Sequence, residues 1–322
     1  MGKTEKEIIS AYVAETERTD DAVVEQAPVR KNHLESPLTR GDYDRVAEEF
    51  SAKHKNNLGY LEIPVAELPT KGMFYPDDIK ISIRAARGEE IKHWSTMNER
   101  DIEAASRNDD IFNYMLERCC VVRIGGQSGN CWKDLVNIDR FYIILAIREF
   151  TFTDKNPLMV PYGEGKEDIP VVKEMIDFIE FPDELMRFYN ADNKSFTFNI
   201  DGQIINMYLP TIGVNNWIKN YAELKSRSGE IFDKDFLLYA GMLFKDYRKL
   251  NFKTYDDLVG STRLWGHKEW SVVSYVFDLL SNVAAPKIKY TDENGTEVEI
   301  PLNFRGGIKA LFLLSNPLLS LC

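Results

Sequence analysis

The sequence predicts an α+β fold of amphipathic helices and short β-hairpins, preceded by an extended or partly disordered N-terminal arm. Three observations support this class. Ile79, Ile81 and Ile83 alternate with polar residues, which is typical of a half-buried strand. The pairs Asp201-Gly202 and Asn294-Gly295 each separate two strand-like segments, as in tight hairpins. Two later segments, 233–250 and 267–282, place apolar residues at helical spacing.

Composition limits the classes of protein to consider. The chain has 322 residues and a formal net charge of −11, and at roughly 150 residues per domain it predicts about two compact units. An acidic surface repels phosphate, so we expect no nucleic-acid partner. Four cysteines are too few for a secreted disulfide scaffold, and a reducing compartment is favoured. The apolar run 308–321 is interrupted by polar residues, so no membrane insertion is expected.

Residues 1–57 are interpreted as an N-terminal arm. They contain 21 Asp, Glu, Lys or Arg residues and three aromatic ones, a composition poor in core-forming side chains. Ile8, Ile9, Tyr12 and Val13 nevertheless form a short apolar stripe at helical spacing. This stripe is either a site for docking on a partner or part of a frayed surface helix.

Residues 58–152 are predicted to form an αβ core. Two strands are expected, one around residues 61–65 and one at 79–84, joined by a turn at 68–76. A helix should begin at Glu89 and continue through Trp94. A second should run over 101–122, with Cys119, Cys120 and Val122 in it, and a third from about Leu135 to Glu149.

Residues 153–215 are predicted to be a turn-rich segment with a β-hairpin. Prolines and glycines between Pro157 and Pro170 indicate turns, and residues 171–181 are read as a short helix stopped by Pro182. The strands of the hairpin are expected to flank Asp201-Gly202. Residues 216–322 are predicted to be a helical region, with helices over 233–250 and 267–282, that closes with a hairpin over 287–300.

No catalytic, cofactor-binding or metal-ligating residue is predicted. The stretch Gly163-Glu164-Gly165-Lys166 lacks the leading glycine and the following Ser or Thr of a phosphate-binding loop. Cys119 and Cys120 are adjacent, and the four histidines are scattered, so no pair has the spacing of zinc ligands. We therefore expect no cofactor, no small-molecule substrate and no enzymatic activity.

Between Ile63 and Pro161 the chain resembles the T-even-type phage baseplate protein family. The shared pattern is a Leu-Pro-Ser/Thr-x-Gly-x-x-Tyr-Pro turn, a strand of the I-x-I-R kind, a Glu-rich helix start, and an Asp-Arg helix that ends in Arg-Glu. The resemblance extends over about ninety residues. The turn is formed by Leu68, Pro69, Thr70, Gly72, Tyr75 and Pro76, and the other matching residues are Ile81, Arg84, Glu89, Glu90, Asp139, Arg140, Arg148 and Glu149.

The resemblance implies a structural protein of a contractile-tailed phage baseplate that acts through contacts with other baseplate or tail proteins. It implies a place in the virion, with assembly in the host cytoplasm. An alternative is a chaperone for assembly of the baseplate hub that is absent from the finished virion. Many members of the family carry cysteine pairs after the Arg-Glu helix, whereas residues 156–192 contain no cysteine, so no metal site is carried over.

Overall fold

The computed structural model describes residues 59–98, 105–152, 158–161, 168–171, 175–291, 295, 297–304 and 307–312. The predicted arm, residues 1–57, lies outside these residues. The described residues confirm the α+β class, with eight α-helices, eleven strands and antiparallel strand pairing throughout. None of these helices combines the length and the apolar character needed to cross a membrane.

The helices and strands are numbered here in chain order. The helices are α1 (Gly88–Trp94), α2 (Ala105–Cys119), α3 (Arg140–Phe152), α4 (Asp183–Met186), α5 (Ile212–Arg227), α6 (Lys234–Met242), α7 (Phe252–Arg263) and α8 (His267–Ser281). The strands are β1 (Tyr60–Ile63), β2 (Lys80–Arg84), β3 (Cys120–Arg123), β4 (Leu158–Val160), β5 (Ile169–Val171), β6 (Ile176–Phe178), β7 (Tyr189–Asn190), β8 (Ser195–Ile200), β9 (Gln203–Met207), β10 (Pro286–Thr291) and β11 (Glu297–Pro301). Their sheets have the orders β1-β2-β3, β11-β10-β6, β4-β5 and β7-β8-β9.

The first sheet corrects the end of the predicted second helix. Strand β2 pairs with β1 as expected, and Ile81 and Ile83 are fully buried. Helix α2, however, ends at Cys119, and residues 120–123 form β3, which pairs with the other edge of β2. The prediction of a helix to Val122 was wrong because the free edge of β2, about forty residues away in sequence, offers this segment, with β-branched Val121 and Val122, a ladder of hydrogen bonds.

Helix α3 begins five residues later than predicted. Leu135 and Val136 are extended, and each takes part in pairing with the segment at 210–212: the Ile212 amide donates to the Leu135 carbonyl at 2.8 Å, and Val136 forms a β-bridge with Thr211. Short 3-10 turns at 132–134 and 137–139 flank these two residues. The helix therefore starts only at Arg140, directly after Asp139.

The predicted helix over residues 171–181 was wrong. Val171 is the last residue of β5, and Ile176–Phe178 is β6, which pairs with β10. The register places Ile176 opposite Ile288, a fully buried residue of the C-terminal hairpin. A partner strand 110 residues away in sequence thus determines the conformation of this segment.

Both predicted hairpins are present. At the first turn, between β8 and β9, Asp201 and Gly202 have φ values of 51° and 88°, the left-handed conformation of a type I′ turn. Strands β10 and β11 form the second. Helix α8 agrees with the predicted helix over 267–282, whereas the one predicted over 233–250 is shorter and comprises only α6.

Apolar side chains form two clusters within the described residues. The larger cluster packs the first sheet against α2 and α3 and continues to the β7-β8-β9 and β11-β10-β6 sheets. The smaller lies among α5, α6 and α7 and includes Val214, Ile218, Tyr221 and Tyr255. Helix α5 begins at Ile212, so it crosses the expected boundary between residues 215 and 216.

Candidate functional site

The turn at residues 68–76 is built from consecutive tight turns. The Lys71 amide donates to the Leu68 carbonyl at 2.8 Å, and the Met73 amide donates to the Thr70 carbonyl at 3.1 Å. Pro69 occupies the second position of the first turn, where its ring restricts φ to the value required. Lys71 and Gly72 both have positive φ values, 53° and 76°. The backbone therefore reverses twice within six residues.

Gly72 is expected to be more sensitive to substitution than a comparable glycine elsewhere. A Cβ at position 72 would lie 3.0 Å from Cγ2 of Val65, whereas Gly126, with a similar φ of 74°, has open space around it. Gly126→Ala should lower the free energy of unfolding by about 1 kcal/mol, the cost of the left-handed conformation. Gly72→Ala should lower it by about 2 kcal/mol, because contact with Val65 adds to that cost. Urea denaturation of both variants measures the difference, and equal losses would contradict it.

A buried carboxylate holds the turn to the start of α3. Asp139 is fully buried and accepts three hydrogen bonds: from the Thr70 amide at 3.0 Å, the Thr70 hydroxyl at 2.6 Å and the Tyr75 hydroxyl at 2.8 Å. The Tyr75 hydroxyl in turn accepts from the Val136 amide at 3.0 Å. Thr70 and Tyr75 are themselves buried. These four residues are called the Asp139 network below.

Burial dominates the acidity of the Asp139 network. It raises the pKa of Asp139 from its ordinary 3.8 to about 6, although the three hydrogen bonds act in the opposite direction. Burial and the neighbouring Asp139 also raise the pKa of Tyr75 well above its usual value. Tyr75 therefore keeps its proton, and hence its role as a donor, through the range in which Asp139 titrates.

Stability should depend on pH through Asp139. Between pH 4 and 6 the folded state binds this proton more tightly than the unfolded state, so stability falls as the pH rises through that interval. The free energy of unfolding relative to Asp139→Asn, which cannot titrate, should fall by about 3 kcal/mol. Urea denaturation of both proteins at a series of pH values measures this. Parallel curves between pH 4 and 7 would contradict the raised pKa.

The side chains that follow Gly72 anchor the turn to other elements. Phe74 lies within 5.4 Å of the ring centroids of Phe181, Tyr189 and Phe196, and the Tyr189 hydroxyl donates to the Met73 carbonyl. Leu68 is fully buried. The Pro76 carbonyl accepts from the Ile79 amide at 3.2 Å and so closes the turn before β2. The turn therefore connects the first sheet with the β7-β8-β9 sheet.

An ion pair fixes the start of α1 against β2. Arg84 donates through Nη2 to Oε1 of Glu90 at 2.7 Å, and the side chains are only 11% and 3% exposed. The other oxygen of Glu90 accepts from the Arg87 amide at 2.7 Å, in the manner of a capping box. These hydrogen bonds from Arg84 and Arg87 outweigh burial and hold the pKa of Glu90 below its usual value.

Removing Glu90 should therefore destabilise the protein. Glu90→Ala is expected to lower the free energy of unfolding by about 3 kcal/mol, because it leaves the Arg84 guanidinium buried without its carboxylate. The adjacent Glu89 is the matched control: its side chain is 67% exposed and pairs with exposed Arg118, so Glu89→Ala should have little effect. Thermal and urea denaturation distinguish the two variants. Equal losses of stability in the two variants would show that the buried ion pair does not stabilise the fold.

The remaining residues of the resemblance lie on α3 and hold its two ends. Arg140 pairs with Asp109 of α2 and lies over the Phe112 ring at 5.0 Å. Near the other end, the Nε of buried Arg148 donates to the Leu311 carbonyl at 3.0 Å, and burial lowers the pKa of Arg148 to about 10. The resemblance residues thus serve as contacts between elements.

The described residues contain no group of three or more His, Cys, Asp or Glu side chains arranged to hold a metal ion. Cys119, Cys120 and Cys131 are free and buried. Burial raises the pKa of Cys119 to about 12 and that of Cys120 further, so both remain thiols at neutral pH. In contrast to the prediction, Cys120 lies on a strand, so the two adjacent cysteines belong to different elements.

A concave surface lies on α5 and the start of α7. Trp217, Tyr221, Leu224 and Phe252 line a groove, together with Asn220, Glu223 and Arg227. Phe252 contacts Trp217 and Tyr221 at centroid distances of 5.5 and 5.6 Å, and Leu224 and Phe252 are each nearly half exposed. We call these four apolar residues the aromatic groove. Sequence reasoning did not identify it.

The structure brings together only part of the predicted site. The turn residues Leu68, Pro69, Gly72, Tyr75 and Pro76 form one unit with Asp139, whereas the docking residues Ile8, Ile9, Tyr12 and Val13 lie outside the described residues. No protein-family model, curated protein or solved structure matches this chain.

Proposed function

We propose that the chain is a structural component of a contractile-tailed phage baseplate, acting through contacts with other baseplate or tail proteins and not as an enzyme. It would reside in the virion after assembly in the host cytoplasm. The observation that supports this proposal is the Asp139 network. Thr70, Tyr75 and Asp139 all belong to the pattern that resembles the baseplate family, and they converge on one buried carboxylate.

These hydrogen bonds join two parts of the resemblance pattern that are far apart in sequence, the turn and the start of α3. The Thr70 and Tyr75 hydroxyls lie 69 and 64 residues from Asp139 in sequence. If the turn and the distant Asp-Arg pair matched the pattern only by chance, hydrogen bonds between their polar groups would not be expected. The contacts favour reading the turn and the helix start as a single structural unit, as a shared architecture requires.

Exposed apolar surface supports a role in protein contacts. The aromatic groove places four large apolar side chains next to one another, two of them nearly half exposed. Aromatic residues are enriched where proteins bind each other. We propose that contacts of this kind act together with docking of the N-terminal residues Ile8, Ile9, Tyr12 and Val13 on a neighbouring subunit.

The test is quantitative mass spectrometry of gradient-purified virions beside the infected-cell lysate. A structural subunit should be present in the particles at a fixed ratio to other baseplate proteins. A chain abundant in the lysate but absent from the particles would overturn the proposal and support the hub-assembly chaperone instead. Tail-less particles from the same gradient are the control, because a baseplate subunit should be lacking from them.

A further inference from the structure

A short C-terminal segment fills an apolar pocket between α1 and α3. Residues Ile308–Phe312 form a 3-10 helix in which Leu311 and Phe312 are 0% and 1% exposed. The Phe312 ring lies against Trp94, with centroids 4.9 Å apart, and near Phe152 at 6.1 Å. Trp94 itself is fully buried. The segment therefore supplies core side chains to elements that precede it by more than 150 residues.

The pocket recognises the backbone of this segment as well as its side chains. The Trp94 indole donates through Nε1 to the Ile308 carbonyl at 3.3 Å, and Arg148 donates through Nε to the Leu311 carbonyl at 3.0 Å. Two side chains thus donate hydrogen bonds to two backbone carbonyls one turn apart, while Phe312 packs against aromatic rings. This combination is that of a peptide-binding site, occupied by the chain's own segment.

A glycine directly precedes the segment. Gly307 adopts a φ of 74°, which glycine reaches without strain. Strand β11 has already ended at Pro301. A change of backbone direction at Gly307 would redirect the segment without breaking the hydrogen bonds between β10 and β11.

We propose that Ile308–Phe312 exchanges between two copies of this chain, the segment of one copy filling the Trp94 pocket of the other. Every contact of the segment is retained in such a pair. Exchange therefore costs little free energy beyond that of bringing the two chains together. Dilute chains favour the closed form, because the tethered segment has a high effective concentration at its own pocket. High local concentration favours the exchanged pair. This inference does not depend on the proposed function.

The first test uses the unmodified chain. It is unfolded in urea and refolded at low and at high protein concentration, and the mass of the products is then measured by light scattering after size exclusion. Exchange predicts monomers after refolding at low concentration and dimers after refolding at high concentration. Monomers alone at every concentration would overturn the proposal.

Complementation then identifies the exchanged segment. Phe312→Asp removes the anchor but keeps the pocket, and Trp94→Leu alters the pocket but keeps the anchor. Refolded together, these variants should form heterodimers in excess of either homodimer, because one intact site is restored. Asn303→Asp adds the same charge at an exposed position before Gly307 and should dimerise like the unmodified chain. Phe152→Leu replaces Trp94→Leu if the latter does not fold. Dimers that form equally well from Phe312→Asp alone would place the interface elsewhere and overturn the proposal.

Discussion

Replacing Asp139 by alanine is expected to lower the free energy of unfolding by about 4 kcal/mol at pH 7, because the Thr70 amide, the Thr70 hydroxyl and the Tyr75 hydroxyl lose their acceptor in a buried site. Hydroxyl groups can turn toward other acceptors, but the amide cannot. Because Asp139 binds its proton more tightly in the folded state, the loss should be larger still near pH 4.

Asp77 provides the matched control for this substitution. It lies in the same turn region, its side chain is 91% exposed, and it pairs with Lys194 at 2.9 Å. Asp77→Ala should leave stability almost unchanged, since exposed ion pairs contribute little. Urea denaturation of both variants beside the unmodified chain makes the comparison. If Asp139→Ala unfolds at the same urea concentration as Asp77→Ala, the network does not hold the turn to α3.

Charging the apolar stripe of the N-terminal segment is expected to abolish incorporation into particles. Ile9→Asp with Tyr12→Asp places two charges where the proposed docking requires apolar contact, and binding must offset the cost of ordering the segment. Ser10→Asp with Ala14→Asp adds the same charge off the stripe and should leave incorporation unchanged. Quantitative mass spectrometry of purified virions measures both. Normal incorporation of the first pair would exclude docking through Ile8, Ile9, Tyr12 and Val13.

Local patterns in the sequence predicted local structure well. The hairpin at Asp201-Gly202 follows from two residues that tolerate positive φ, placed between alternating segments. Helix α8 follows from apolar periodicity over 267–282. Each of these elements is determined by residues within about fifteen positions of one another, so a local sequence pattern is enough to predict it.

Elements that depend on distant partners were missed. Residues 120–123 extend the pattern of α2, yet they pair with β2, and residues 176–178 pair with β10 more than a hundred positions later. In both cases an available strand edge overrides local helical preference. Helix α7 had a local signal that was overlooked: Asn251 caps it by accepting from the Thr254 amide at 2.9 Å.

The turn residues were identified from sequence, but their chemistry was not. Thr70 and Asp139 were noted as parts of one pattern, without any indication that they touch. The signals that could have suggested a contact are a carboxylate directly before an apolar helix and hydroxyl groups within the turn. Such residues are usually exposed. Only the fold shows that burial places Asp139 between Thr70 and Tyr75.

Electron cryomicroscopy of the purified baseplate tests the central claim most directly. The proposed function predicts density that accommodates this fold, with Tyr75 and Asp139 in contact, and with residues 8–13 lying against a neighbouring subunit. A baseplate map without density for this chain would contradict the proposed function. Density for the chain in which residues 8–13 contact only their own copy would leave it a structural component and contradict docking through the N-terminal segment.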